Sequence, residues 1–174
     1  MAGALLMTDV TSDREEGCLQ VPDAYETRRQ VHLQEMRSRV PAHLERLGWP
    51  AERLQLERDA RLRQLIRIAQ ERSVWHRERL GHLNPETLGG NDLATIPVMT
   101  KQDLMGNFDR IVTDPRLTLD RVESHLDGLT RDAYLLDRFH AVASGGSSGQ
   151  RGVFVWGWES WADCFLSCLR YSII

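Results

Sequence analysis

Residues 139–156 read Phe139-His140-Ala141-Val142-Ala143, then Ser144-Gly145-Gly146-Ser147-Ser148-Gly149-Gln150-Arg151-Gly152, then Val153-Phe154-Val155-Trp156. The two outer pieces alternate as strands do, and the six consecutive serines and glycines between them favour neither helix nor strand. The segment therefore predicts a strand–loop–strand hairpin. Its loop is rich in backbone N–H groups and hydroxyls. Glycines permit the positive φ angles that turn successive N–H groups toward one point, which makes an anion nest, and Arg151 adds a forked cation suited to a phosphate oxygen. A slack hairpin turn is the plainer reading of the same composition.

Two better-known phosphate loops do not fit. A Walker-type loop needs Gly-Lys-Ser/Thr leading into a helix, and a dinucleotide loop needs Gly-x-Gly-x-x-Gly opening one. Here no lysine follows a glycine, only Gly146 and Gly149 keep the second spacing, and a strand follows in both cases.

Upstream, the chain reads as helical. Apolar residues from Tyr25 to Leu47 recur at helical spacing, with Pro41 expected to break or kink the run and Gly48-Trp49-Pro50 to end it. A second helix is expected from about Ala51 to Gln70, with Leu54, Leu62, Leu65, Ile66 and Ala69 on one stripe. Val74 to Leu80 adds a short helix, and Asn84-Pro85-Glu86 and Gly89-Gly90-Asn91-Asp92 are turn chemistry. Ile96 to Thr100 reads as extended, and Thr100 with Asp103 forms a capping box opening a helix from Lys101 to about Asp109. Thr118 caps a short helix through His125. After the hairpin, an apolar helix is expected from Trp161 to about Ser172. The predicted class is helix-rich α/β: N-terminal helices, a strand–Gly/Ser loop–strand unit and a closing helix.

The 174 residues suit one domain, and 41% hydrophobic with 27% charged residues is ordinary for a globular chain. The net charge of −3 is spread along the chain, giving no basic face for nucleic acid. No segment approaches the ~20 apolar residues of a membrane span, and Met1 to Gly17 lacks the basic flank of a secretion signal. A cytoplasmic, reducing location follows as an expectation. Cys18, Cys164 and Cys168 do not make a disulfide framework; Cys164 and Cys168 read as small packing residues. His140 reads as a satisfied, half-buried side chain, with a nucleotide contact as its alternative. Trp156, Trp158 and Trp161 read as core before they read as a stacking wall. The remaining histidines show no metal-ligand spacing. Arginine supplies 21 of the 22 basic residues, leaving Lys101 as the lone lysine, and it reads as a solvated surface residue.

Three motifs in order carry a resemblance: Trp75-His76-Arg77-Glu78-Arg79-Leu80, Ile96-Pro97-Val98-Met99-Thr100-Lys101-Gln102-Asp103-Leu104, and Ala143 to Gly149. Over roughly residues 50–174 the chain resembles the N-terminal part of phenylacetate–CoA ligase-like proteins, of the adenylate-forming superfamily of AMP-forming acyl-CoA synthetases. The family places an aromatic-Tyr-Arg-Glu/Lys turn, a Pro-x-Thr/Met-Thr/Ser-Lys-x-Asp-Leu helix start and a Ser/Thr/Gly loop in that order. The resemblance implies that Ser144, Gly146, Ser147, Ser148 and Gly149 embrace the β- and γ-phosphates of ATP, bound with Mg2+, while a carboxylic acid attacks the α-phosphorus. An acyl-adenylate and pyrophosphate form, and the acyl group passes to CoA. Two departures stand out. Gly145 replaces a common hydroxyl residue, and Arg151-Gly152 stands where Pro-Lys is frequent, making Arg151 the substitute cation. Family members continue for more than as much again. Residues 1–20 read as a flexible lead-in, and the resemblance implies that 21–174 is a partial adenylate-forming domain that does not complete adenylation alone. The competing expectation is a non-enzymatic helical interaction module, or a degraded remnant. It would associate with a second polypeptide, or with itself, through the apolar residues of the last helix.

Overall fold

The computed structural model describes residues 23–145 and 151–173. The expected lead-in at 1–20, Cys18, and the loop residues Gly146, Ser147, Ser148 and Gly149 lie outside the described residues. The hairpin forms as its alternation requires. β1 (Phe139–Ala143) pairs antiparallel with β2 (Val153–Gly157), in a register that sets Phe139 opposite Gly157 and Ala143 opposite Val153. Residues directly opposite share a face, so Phe139, Ala141, Val153 and Val155 lie together on one side. That side carries the larger core, where Phe139 and Val153 join Leu104, Phe108, Leu117, Val122 and Leu135. His140 and Trp156 take the other side and meet Trp161 at ring-centroid distances of 4.8 and 5.5 Å.

The first helix, α1, runs Ala24–Glu45 without stopping at Pro41. Proline removes one backbone donor and crowds the turn before it, but only four residues follow Pro41 before the helix ends. Tertiary contacts also pin this end: His43 is buried, and Arg39 lies 3.3 Å from Asp163. The helix then tightens into a 3-10 turn at Arg46–Gly48, and Trp49 and Pro50 turn the chain as expected.

Helix α2 (Ala51–Arg72) extends slightly past the predicted end, and Arg77 donates to the carbonyls of Gln70 and Glu71 at its C-terminus. Its buried stripe is narrower than the spacing implied. Ile66 is buried and Leu62 and Ala69 pack beside it, whereas Leu54 and Leu65 are exposed. The reason is coverage: α3 (Val74–Leu80) and the segment around Leu88 and Ile96 roof only one flank of the helix.

Thr100 and Asp103 form the anticipated capping box. The Thr100 hydroxyl oxygen accepts from the Asp103 N–H at 3.0 Å, and the Asp103 carboxylate accepts from the Thr100 N–H at 2.9 Å. The Thr100 N–H and hydroxyl, both donating to that carboxylate, hold the Asp103 pKa below its usual value. Thr100→Ala is expected to lower stability by about 1 kcal/mol, visible as a lower urea midpoint. The helix so started is shorter than predicted. α4 (Lys101–Gly106) stops where Asn107 leaves helical geometry (φ −131°, ψ 20°), and α5 (Phe108–Ile111) begins afresh. α6 (Leu119–Asp127) is capped by Thr118 as its sequence implied.

The closing helix α7 (Trp158–Ile173) starts three residues earlier than expected. Trp158, Ala162 and Leu166 are buried, consistent with Trp158 as core, and α7 packs along α1 and the hairpin. Cys164 and Cys168 are exposed free thiols and not packing residues, because the covered side of α7 is the one holding Ala162 and Leu166. Among the described residues no helix is long and apolar enough to cross a membrane.

Candidate functional site: the neck of the glycine–serine hairpin

At the base of the loop the two strands are tied by side chain as well as backbone. The Ser144 N–H donates to the Gly152 carbonyl at 2.8 Å, and the Gly152 N–H donates to the Ser144 hydroxyl oxygen at 2.8 Å. The cation at this neck is Lys101. Its ammonium donates to the same Ser144 oxygen at 3.4 Å. The capped start of α4 fixes where Lys101 leaves the backbone, and the lysine stem then passes close to Gly152. A Cβ built on Gly152 would lie 3.3 Å from Lys101 Cδ and 3.2 Å from Phe154 Cε2, tighter than ordinary contact. A glycine at 152 therefore admits the lysine.

The reading of Lys101 as a solvated surface residue is corrected by this geometry. It is half-buried and reaches into the hairpin. The signal available in the sequence was its uniqueness and its place one residue after a capping threonine. Arg151, expected to face the phosphate, is exposed and lies 3.4 Å from Asp127 at the end of α6. Such an exposed pair is weak. Of the six loop residues singled out, Ser144 and Arg151 are described and flank the neck. Gly145, beside Ser144, has no described atom within 4 Å of where a Cβ would stand.

This donor set fits an anion. Ser144 accepts two hydrogen bonds and retains one hydroxyl proton to give, Lys101 brings a full positive charge, and Arg151 lies at the rim. A magnesium cage built from protein is a different matter. The described residues contain no group of three or more His, Cys, Asp or Glu that could hold a metal.

Away from the neck, α1, β1 and α7 enclose a stack of rings. His32 lies flat on Trp158 (4.1 Å, 7°), His140 stacks on Trp161, and Tyr134 meets both histidines edge-on. His140 is half-buried as expected, yet among the described residues its Nε2 has no hydrogen-bond partner, nor does Nδ1 of His32. Burial is the main cause lowering the pKa of His32, His43, His76 and His140, aided by Arg46 at His43 and by Arg79 at His76. A histidine whose folded pKa lies below its unfolded value of about 6.5 takes up protons more readily when unfolded. Its contribution is present at neutral pH and is lost as pH falls below that value. The carboxylates held low, Asp114 at about 2 among them, do not titrate in this window. Urea midpoints are therefore expected to fall from pH 7.5 to pH 5.5; a flat or rising midpoint would contradict the burial of these rings.

Compared with protein-family models, curated proteins and solved structures, the chain gives no match. The family resemblance thus rests on the three motifs quoted above.

Proposed function

We propose that the hairpin is the phosphate loop of an AMP-forming, phenylacetate–CoA ligase-like protein, and that it binds the triphosphate of ATP. The single observation that carries this reading is the convergence of the Lys101 ammonium on the Ser144 hydroxyl at the neck of a glycine–serine loop. Two motifs that stand 43 residues apart in the sequence, the Thr100–Asp103 helix start and the loop, meet there. When bound, ATP supplies the phosphorus that a carboxylic acid attacks and the pyrophosphate that leaves, ahead of transfer to CoA.

Within that reading each residue has a defined task. Lys101 neutralises phosphate charge, Ser144 donates its remaining hydroxyl proton, and Arg151 exchanges Asp127 for a phosphate oxygen. Gly146, Ser147, Ser148 and Gly149 are the further donors that the resemblance assigns to the loop. Fixed donors aimed at growing negative charge are what phosphoryl and adenylyl chemistry require of a protein. Contacts to adenine, ribose and the acyl group are not among the matched residues, so binding without turnover is the expected behaviour.

Equilibrium dialysis with Mg·ATP tests this. Saturable binding, weakened by Ser148→Ala and by Gly149→Ala, is expected; no ATP binding by the folded chain would overturn the reading. ATP–pyrophosphate exchange with aromatic and aliphatic acids is expected to be absent. Clear exchange, lost in either variant, would overturn the view that this chain binds without turnover.

One observation favours a second reading, an interaction module. Helix α7 exposes Phe165, Leu169 and Tyr171, the last at 85%. Mass measurement in solution separates the two: a folded monomer without a partner argues against the module.

A further inference from the structure

We propose that the groove between α2, α3 and the 93–99 segment is a binding site for a small amphipathic carboxylate, independent of the phosphate loop. The groove holds about 390 Å³, a volume suited to a small molecule. Leu62, Ile66 and Leu80 form its floor, and Leu65, Leu93 and Met99 its rim. The rim residues are exposed by 62%, 53% and 41%, so apolar surface stands open to solvent around a concave apolar floor. Isolated exposed leucines need no explanation, but a contiguous set lining a cleft does.

Charge selects the occupant. The lining includes one cation, Arg79, and no carboxylate. Arg79 is held in place: its guanidinium lies over the Trp75 ring at 4.4 Å and donates to the Val98 carbonyl at 2.9 Å. A guanidinium with five N–H groups keeps donors for a ligand after that bond is made. The other polar wall residues are Thr113, which is uncharged, and His76. The Ser73 hydroxyl gives its one proton to the Arg110 carbonyl at 3.0 Å, so toward His76 Nδ1, at 2.8 Å, it acts as acceptor. This network places a proton on Nδ1, and burial, with Arg79 nearby, lowers the ring's pKa and so disfavours a second proton at Nε2. An apolar cleft with one fixed guanidinium and a neutral imidazole is complementary to an apolar body with a single anionic head. A cation would meet Arg79 with no carboxylate in the lining, since Asp103, which Arg79 also attracts, lies outside it, and a neutral alcohol would leave the guanidinium unused.

Methyl NMR of the full chain, titrated in parallel with octanoate, 1-octanol and octyltrimethylammonium, tests the site. Octanoate is expected to shift Leu62, Leu65 and Met99 methyls with a Kd near 1 mM, the range a ten-atom ligand reaches, and to bind at least about fivefold tighter than the other two. Leu65 is exposed and Arg79 is half-buried at the rim, so changing either leaves the Ile66–Leu80–Leu88 cluster in place. Leu65→Glu is expected to weaken octanoate about tenfold by like charge and lost apolar contact. Arg79→Gln is expected to bring octanoate down to the level of octanol, and Arg79→Lys to restore the preference in part. Absence of saturable shifts in these methyls, octanol binding as tightly as octanoate, or octanoate binding unchanged in both Leu65→Glu and Arg79→Gln would each overturn the proposal. Because no phosphate-loop residue takes part, failure here leaves ATP binding untouched, and the reverse holds.

Discussion

Phe108→Ala is expected to cost about 3–5 kcal/mol of unfolding free energy, a large share of the ~5–15 kcal/mol that typically separates a folded domain from its unfolded chain. Phe108 opens α5 and is 3% exposed, packed with Leu104, Leu117, Val122 and the hairpin residues Phe139 and Val153. Its ring joins the helices before the hairpin to the hairpin itself. A variant with a urea midpoint close to that of the parent would show that the hairpin is held chiefly by other contacts. Leu65→Ala, on the exposed side of α2, is the matched control, with an expected change within about 0.5 kcal/mol.

The second large effect concerns binding. Lys101→Met is expected to weaken ATP at least about tenfold, the scale of losing one charge-assisted hydrogen bond, with the urea midpoint changed little. Methionine keeps an apolar stem beside Gly152 and removes the charge near Ser144. Arg151→Gln is expected to weaken ATP less, because Arg151 starts from an exposed pair with Asp127 and must swing to reach a phosphate. Dialysis of both variants beside Gly152→Ala gives a third point. A Cβ at 152 crowds Lys101 Cδ and Phe154, so this change displaces the lysine without altering its charge and should fall between the other two. Equal ATP affinity in Lys101→Met and the parent would remove Lys101 from the site.

Much of the fold was legible because its signals are local. The Thr100–Asp103 capping box, the Thr118 cap, the Gly48–Pro50 turn and the alternation on both sides of the glycine–serine loop each act within a few residues, and each appears where it was expected. The misreadings come from partners far along the chain. Pro41 does not break α1 because Asp163, 122 residues later, helps hold that end of the helix, with Arg39 and His43 against it. Leu54 and Leu65 continue the apolar period of α2 but receive no roof, and Cys164 and Cys168 turn away from the face of α7 that α1 covers.

The candidate site divides in the same way. Composition alone nominated the loop, and Ser144 does stand at its neck. Lys101 was misjudged because no spacing rule links it to a loop 43 residues away. Only the docking of α4 under the start of β2, where the Val153 N–H meets Met105 sulfur at 3.3 Å, brings them together. The apolar groove with Arg79 draws on two of the quoted motifs, 75–80 and 96–104, but no spacing rule shows them meeting each other and α2.

Amide NMR of the labelled chain, titrated in parallel with Mg·ATP, inorganic tripolyphosphate and AMP, tests the phosphate loop most directly. Ser144, Gly145, Gly152 and Lys101 amides are expected to shift with ATP and with tripolyphosphate, to shift little with AMP, and to lose the response in Lys101→Met. Silent neck amides, or shifts that AMP reproduces in full, would contradict a site built for the phosphates of ATP.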